Sequence, residues 1–111
     1  MFSLILVAFL PGTKINNLST IYYTSGQLEQ ALKFQLKAIE ICEKIFDKLH
    51  PDLACSYHNL SIIHYDMEDY GSAKSYAEQA VAIFQHLFPN GHPNLDKAKE
   101  NLERIKRQMS Q

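Results

Sequence analysis

Apolar residues recur along the chain three and four positions apart, which is the spacing of amphipathic helices. This spacing predicts five helices, at residues 14–24, 28–46, 52–66, 70–87 and 93–109. The apolar face of the first helix is made by Ile15, Leu18, Ile21 and Tyr22. The stripe of the second is made by Leu28, Ala31, Leu32, Leu36, Ile39 and Phe46. The stripe of the last is made by Leu95, Ala98, Leu102, Ile105 and Met109. The rest of the last helix is charged, so one buried face and one solvated face are predicted there.

The sequence also repeats itself with a period of 42 residues. Over residues 14–53, 12 of 40 positions are identical to the residue 42 positions further on, whereas random pairing would give roughly two or three. The third unit is only half present, because the chain ends soon after Asn101 and Leu102 match Asn59 and Leu60. We therefore predict three segments after residue 12: unit 1 at 13–50, unit 2 at 51–91 and a C-terminal capping helix at 92–111.

Residues 1–12 do not fit the repeat. Their apolar run MFSLILVAFL is shorter than the ~20 residues that cross a bilayer, so we expect no membrane span. No Lys or Arg precedes the run and no small-x-small cleavage site follows it, which argues against a signal peptide. The run ends in FLPG, which is similar to LFPNG at 87–91. We interpret it as the remnant of a preceding hairpin helix, with a signal peptide as the alternative.

Composition excludes several classes of function. A net charge of −1 argues against a nucleic-acid partner, because phosphate binding needs a dense basic face. The two cysteines, Cys42 and Cys55, have no zinc spacing, and we expect reduced thiols in a cytoplasmic protein. His58 and His64 are six residues apart and so lie on different helical faces. No phosphate loop, nucleophile motif or metal-ligand cluster is present in the sequence. We predict no enzymatic activity, no metal and no cofactor.

Specific residues in both units resemble the tetratricopeptide repeat family. In unit 1 they are Leu18-Ser19, Tyr22, Gly26-Gln27-Leu28, and Ala31 with Ala38. In unit 2 they are Leu60-Ser61, His64, Asp69-Tyr70, and Ala73 with Ala80. The 42-residue period and the His-Pro-Asp/Asn-Leu restart are similar to the kinesin light chain and nephrocystin-like branch. The departures from the family pattern are Glu68 for glycine, His64 for tyrosine, and Gln35 and Ala77 for an aromatic residue. The resemblance implies an all-α fold, an α-α superhelix (solenoid) of antiparallel helical hairpins.

The resemblance also implies a concave groove, lined by the first helix of each hairpin, that binds peptides. The family's groove positions fall in unit 1 on Asn16, Asn17, Thr20, Tyr23 and Thr24. In unit 2 they fall on Cys55, His58, Asn59, Ile62, Tyr65 and Asp66. In the third, partial unit they fall on Lys97, Glu100, Asn101, Arg104 and Arg107. We therefore expect a protein or peptide partner.

Asn17, Asn59 and Asn101 occupy the same helical position at 42-residue spacing. Asparagine favours helices poorly, so three in register require a reason. A carboxamide both donates and accepts hydrogen bonds, so a ladder of them could hold the backbone of an extended peptide. In the other interpretation, each asparagine bonds to the neighbouring hairpin or has merely been inherited by duplication.

Three functional hypotheses follow from these patterns. The first is a non-enzymatic module that binds an extended peptide or partner protein in its groove. The second is a structural or self-association module that extends or caps a longer array. The apolar residues 1–12 favour this second hypothesis, because an exposed apolar end promotes homo-oligomers. The third is an accessory module of a signalling enzyme whose catalytic domain lies elsewhere.

Overall fold

In the computed structural model, residues 12–45 and 49–111 are described, with side chains described for residues 18–44 and 49–111. The five helices are α1 (Gly12–Thr24), α2 (Leu28–Ile45), α3 (Pro51–Asp66), α4 (Tyr70–Leu87) and α5 (Pro93–Met109). These bounds lie within two residues of the predicted ones. The interpretations of the apolar N-terminal run fall on residues 1–11, which lie outside the described residues.

The helices pack as two hairpins followed by a single helix. α1 pairs with α2 and α3 pairs with α4, while α5 packs against α4. α2 also packs against α3, so that each hairpin rests on the next. α3 also contacts α1 and α5, the other helices that begin a unit. The described residues contain no strand, and the predicted all-α superhelix of antiparallel hairpins is confirmed. None of the described helices is long and apolar enough to cross a membrane.

Small side chains lie where the two helices of a hairpin approach each other most closely. Four alanines of the second helices of the hairpins are 0% exposed: Ala31, Ala38, Ala73 and Ala80. Ser19 of α1 is also buried, and its hydroxyl donates to the carbonyl oxygen of Ala31 on α2 at 2.9 Å. A larger side chain at these positions would push the helices apart. The small residues of the repeat therefore set the spacing within each hairpin.

The His-Pro restart forms the N-terminal cap of two helices. His50 precedes α3, and its Nδ1 accepts a hydrogen bond from the backbone N–H of Asp52 at 3.0 Å. His92 precedes α5 and accepts in the same way from Asn94 at 3.0 Å. In both cases the following proline occupies the first turn, where its missing N–H costs no hydrogen bond. The two histidines are therefore capping residues.

Some predicted apolar stripes are wrong at single positions. Ile21 of α1 is 62% exposed, because no described helix lies on its side of α1. Leu36 of α2 is 46% exposed, while the neighbouring Gln35 is buried in its place. Met109 of α5 is exposed at the end of the last helix. Helical periodicity indicates which face is apolar but not whether a neighbour covers it.

The turn between the two helices of each hairpin has the same backbone path. Gly26 in unit 1 has a φ of +79°, and Glu68, 42 residues later, has a φ of +63°. Each donates its N–H three residues back, to the carbonyls of Tyr23 and Tyr65 respectively, both at 3.0 Å. The left-handed conformation suits glycine and strains a residue with a Cβ. Unit 2 thus has the same left-handed backbone conformation at this turn as unit 1, although Glu68 adopts it less favourably than glycine does.

We therefore predict that Glu68→Gly stabilises the protein. Removing the Cβ relieves a left-handed strain of roughly 1–2 kcal/mol. The added freedom of glycine in the unfolded chain offsets about half of that. We expect the free energy of unfolding to rise by roughly 0.5–1 kcal/mol in urea denaturation followed by circular dichroism. Gly26→Ala, the reverse change at the matching turn, should lower it. A stability loss in Glu68→Gly would contradict the assignment of strain.

Candidate functional site

Two clefts run between the first helices of successive units. The first cleft, between α1 and α3, is lined by Ser19, Thr20, Tyr23, Thr24, Asn59, Ile62 and Ile63. The second cleft, between α3 and α5, is lined by His58, Ile62, Lys97, Glu100, Asn101, Arg104 and Arg107. Ile62 lines both clefts, so they adjoin at this residue, and we refer to the two clefts together as the groove.

Most of the predicted groove residues with described side chains line this groove. Cys55 lines a smaller recess beside it, together with His58, Asn59 and Lys97. Asp66 instead accepts a hydrogen bond from Tyr23, and the Tyr65 ring stacks with Arg104, so each contacts a residue that lines the groove. The side chains of Asn16 and Asn17 lie outside the described residues, so their predicted role stays a prediction.

Sequence reasoning missed several lining residues. Ser19 and Ile63 line the first cleft, and Phe84 and Asn94 line the recess beside Cys55. Ser19 precedes the groove residue Thr20 and Ile63 follows the groove residue Ile62, but both belong to the buried face of their helices. Phe84 comes from α4, a second helix of a hairpin. The position of Phe84 in the recess could be predicted only by knowing which helices pack against each other.

The first cleft is mostly apolar and is bridged by one polar contact. Tyr23 of α1 donates its hydroxyl to the Asp66 carboxylate of α3 in a short hydrogen bond. That bond, followed by burial and by the Asp66 charge, raises the pKa of Tyr23 to about 12, while Arg104 acts weakly in the opposite direction. The phenol is therefore a neutral donor over the whole physiological range. The Tyr23–Asp66 bridge ties α1 to α3 at the groove surface.

Arg104 organises the second cleft. Its guanidinium lies over the Tyr65 ring, with the central carbon 4.2 Å from the ring centroid, which is cation–π geometry. One terminal nitrogen donates to Asn101 Oδ1 at 3.0 Å. Tyr65 in turn meets Tyr70 of α4 edge to face, with centroids 5.4 Å apart. Arg104 thereby connects α5 to α3 while its charge stays at the groove surface.

Asn101 bonds to the preceding hairpin. It is 7% exposed, and its Nδ2 donates to Ser61 Oγ at 2.7 Å. Ser61 Oγ donates in turn to the carbonyl oxygen of His58 at 2.6 Å. The carboxamide oxygen is taken by Arg104. This geometry matches the interpretation of bonding to the neighbouring hairpin, so a ladder of three equivalent ligand-binding asparagines does not describe Asn101.

Asn59 is placed differently, although it occupies the same repeat position. It is half-buried, lines the first cleft, and reaches the recess beside Cys55. No residue in the described part of the chain forms a hydrogen bond with its side chain. Its carboxamide is therefore available to a ligand, in contrast to that of Asn101.

Positive charge accumulates on the α5 side of the groove. Lys97, Arg104 and Arg107 line the second cleft, against the single carboxylate of Glu100. Burial, followed by the nearby charges of Lys97 and Arg104, lowers the pKa of His58, so this imidazole is neutral at pH 7. The second cleft therefore carries a net positive charge, and the first cleft is largely uncharged.

The described residues show no group of three or more His, Cys, Asp or Glu that could hold a metal ion. Both cysteines are free thiols. Burial raises the pKa of Cys55 and of Cys42, which keeps each as a protonated thiol at pH 7. A protonated thiol is a poor nucleophile, so Cys55 beside His58 lines the recess without the features of a reactive cysteine.

Comparison with known proteins identifies similar folds. A family model described as Tetratricopeptide repeat matches residues 12–86. Among solved structures, the nearly identical TPR-like repeats of a Podosopora anserina protein described as a kinesin light chain align with a TM-score of 0.79 and 22% identity. A single-substitution variant of that protein aligns with a TM-score of 0.78 and 23% identity. The alignments cover 88% and 85% of this chain, but only 46% and 44% of those chains. No curated protein sequence matches the chain.

The Tyr23–Asp66 bridge predicts a pH dependence of stability. Because folding raises the pKa of Tyr23 from near 10 to about 12, its contribution is complete below about pH 10 and is lost as pH rises toward 12. The difference in unfolding free energy between the wild type and Tyr23→Phe should therefore be constant from pH 7 to 9 and shrink above pH 10. Urea denaturation across that range measures it. A difference that does not change with pH would show that the bridge does not form.

The two asparagines should differ in their effect on stability. Asn101→Ala leaves the buried Ser61 hydroxyl without its donor, so we expect a loss of roughly 1–3 kcal/mol. Asn59→Ala breaks no hydrogen bond to a described residue and should change stability by less than about 0.5 kcal/mol. Urea denaturation of both variants provides the comparison. Equal losses would contradict the different roles of the two residues.

Proposed function

This chain belongs to the tetratricopeptide repeat family, and we propose that it is a non-enzymatic cytoplasmic module that binds an extended segment of a partner protein in its groove. The fold itself is a generic protein-interaction module. The observation that carries the proposal is the pair of adjoining clefts along α1, α3 and α5, where the Asn59 carboxamide has no hydrogen-bond partner among the described residues. A ligand that enters the groove supplies that partner.

Backbone recognition rests on Asn59 in this proposal. A carboxamide can donate to a peptide carbonyl and accept from a peptide N–H at the same time. Asn59 lies on the middle one of the three groove helices, at the first cleft and close to Ile62, which joins the two clefts. A peptide that crosses from α1 to α5 therefore passes this side chain. Such bonds make little demand on the side chains of the ligand.

Side-chain preference follows from the two clefts. Ile62 and Ile63 give the first cleft an apolar floor, which suits an apolar side chain of the ligand. Lys97, Arg104 and Arg107 outnumber the one carboxylate in the second cleft, which suits an acidic side chain. We propose a peptide that places its apolar residue toward α1 and its acidic residue toward α5.

A second candidate function is structural: the hairpins extend or cap a longer array. α5 favours this candidate, because one face buries Leu95, Ala98 and Ile105 while its opposite face is exposed and largely charged. A helix of that kind covers the hairpin before it and ends the stack in water. The two candidates are compatible, since a capped array still presents its groove.

The test is peptide selection against the full chain. A displayed library of random peptides should yield sequences that pair an apolar residue with an acidic one. We expect Asn59→Ala to weaken a selected peptide by roughly tenfold, equivalent to the loss of about one or two hydrogen bonds. Lys97→Glu should also weaken binding of the peptide, and the loss of affinity should be larger at low salt than at high salt, because salt screens the attraction between Lys97 and an acidic side chain.

Asn90→Ala is the matched control, since Asn90 is an exposed residue of the turn after α4. It should leave affinity unchanged, and circular dichroism should show equal helicity in all variants. Affinity that is unaffected by Asn59→Ala would exclude backbone recognition through Asn59. A library that yields no groove-binding peptide would favour the structural function alone.

A further inference from the structure

Three isoleucines occupy one repeat position in the groove helices but differ in burial. Ile63 of α3 is 2% exposed and Ile105 of α5 is 0% exposed. Ile21 of α1, 42 residues before Ile63, is 62% exposed. The position is thus part of the core in two units and part of the surface in the first.

The second helix of the preceding hairpin buries this position. Ile105 packs against Ala73 and Ala77 of α4, the helix that precedes α5. α2 likewise precedes α3 and packs against it. No described helix precedes α1. The fold therefore forms this type of helix–helix interface twice, between α2 and α3 and between α4 and α5. The corresponding face of α1, around Ile21, has no described helix packed against it in this way.

Exposure alone does not distinguish Ile21, but the repeat does. The other exposed large apolar residues described are Leu36, Leu49, Met67 and Met109. The residues at their repeat positions are Glu78 for Leu36, Gly91 for Leu49, and Ser25 for Met67 and Met109, and all of these are exposed. Those positions face solvent throughout the fold. Ile21 is the one described residue of this set whose equivalents are buried, so its face is built to be covered.

We propose that residues 1–10 of the same chain cover the Ile21 face. Nine of these ten residues are apolar, with Ser3 as the exception, so the segment itself needs a surface on which to be buried. Only Pro11 separates the segment from α1, and so short a tether gives a local concentration in the millimolar range. Both surfaces are apolar, and they are close together in the sequence.

A second copy of the chain is the weaker occupant. The apolar face of α5 is already buried against α4, and α2 and α4 each pack against the helices beside them. Among the apolar faces that the repeat forms on the described helices, a second copy could offer its own Ile21 face, and outside these helices it could offer its residues 1–10. Either contact would have to outcompete a segment that is covalently attached next to the site.

The first experiment compares two substitutions in the full chain by thermal unfolding. Ile21→Glu places a charge in the covered interface, and we expect it to lower Tm by roughly 5–10 °C at every protein concentration. Leu36→Glu is the matched control, because the same helix position is Glu78 in unit 2, and it should change Tm by less than about 2 °C. Light scattering should give a monomer mass for the wild type.

The second experiment asks whether the covering surface is the N-terminal segment. Leu4→Glu, Ile5→Glu, Leu6→Glu and Val7→Glu are each combined with Ile21→Glu. At least one of them should lower Tm alone and add little to Ile21→Glu, because both changes remove the same contact. Fully additive losses at all four positions would overturn the assignment of residues 1–10.

The remaining outcomes also decide the proposal. Equal Tm values for Ile21→Glu and Leu36→Glu would mean that the face is open to solvent or awaits a separate protein, and the proposal would be wrong. A dimeric wild type whose Tm rises with concentration, and falls to a monomer value in Ile21→Glu, would assign the face to a second copy. Peptide binding in the groove is independent of these results, since Ile21 lines neither cleft.

Discussion

The close approach of paired helices at small residues is the constraint on which the rest of this structure depends. Ala31 and Ala38 in the first hairpin, and Ala73 and Ala80 in the second, are completely buried where a larger side chain would separate the helices. With that spacing fixed, the second helix of each hairpin reaches the first helix of the next. The groove exists because the three first helices are then left side by side on one surface.

That surface uses equivalent repeat positions for different purposes. Asn59 presents a carboxamide to the groove, whereas Asn101 uses the same group to hold α5 on α3 through Ser61. Arg104 serves both purposes, since it stacks on Tyr65 and bonds Asn101 while its charge contributes to the second cleft. Among the described helices, α5 packs against α4 and α3, and the Asn101–Ser61 bond is part of its contact with α3. The middle helix is held from both sides and leaves its asparagine available.

The helices, the 42-residue period and the hairpin order could be predicted because they depend on local rules. Apolar spacing marks helical faces, Gly26 marks a left-handed turn, and His-Pro marks a helix start. Much of the groove could be predicted too, because a repeat places equivalent residues on equivalent helices. Tyr23 with Asp66 could not be predicted as a pair, since the two residues are 43 positions apart and meet through helix packing.

The sequence by itself determined the fold class, the number of units and the residues that occupy each repeat position, because periodicity and turn chemistry act over short distances. Only the tertiary structure decided what each position does. Ile21, Ile63 and Ile105 are identical in sequence, yet burial depends on whether a neighbouring helix is present. Asn59 and Asn101 are likewise identical, yet only the carboxamide of Asn101 donates a hydrogen bond to a described residue, Ser61, which lies 40 positions earlier. Function at such positions depends on the neighbours, which a linear pattern does not contain.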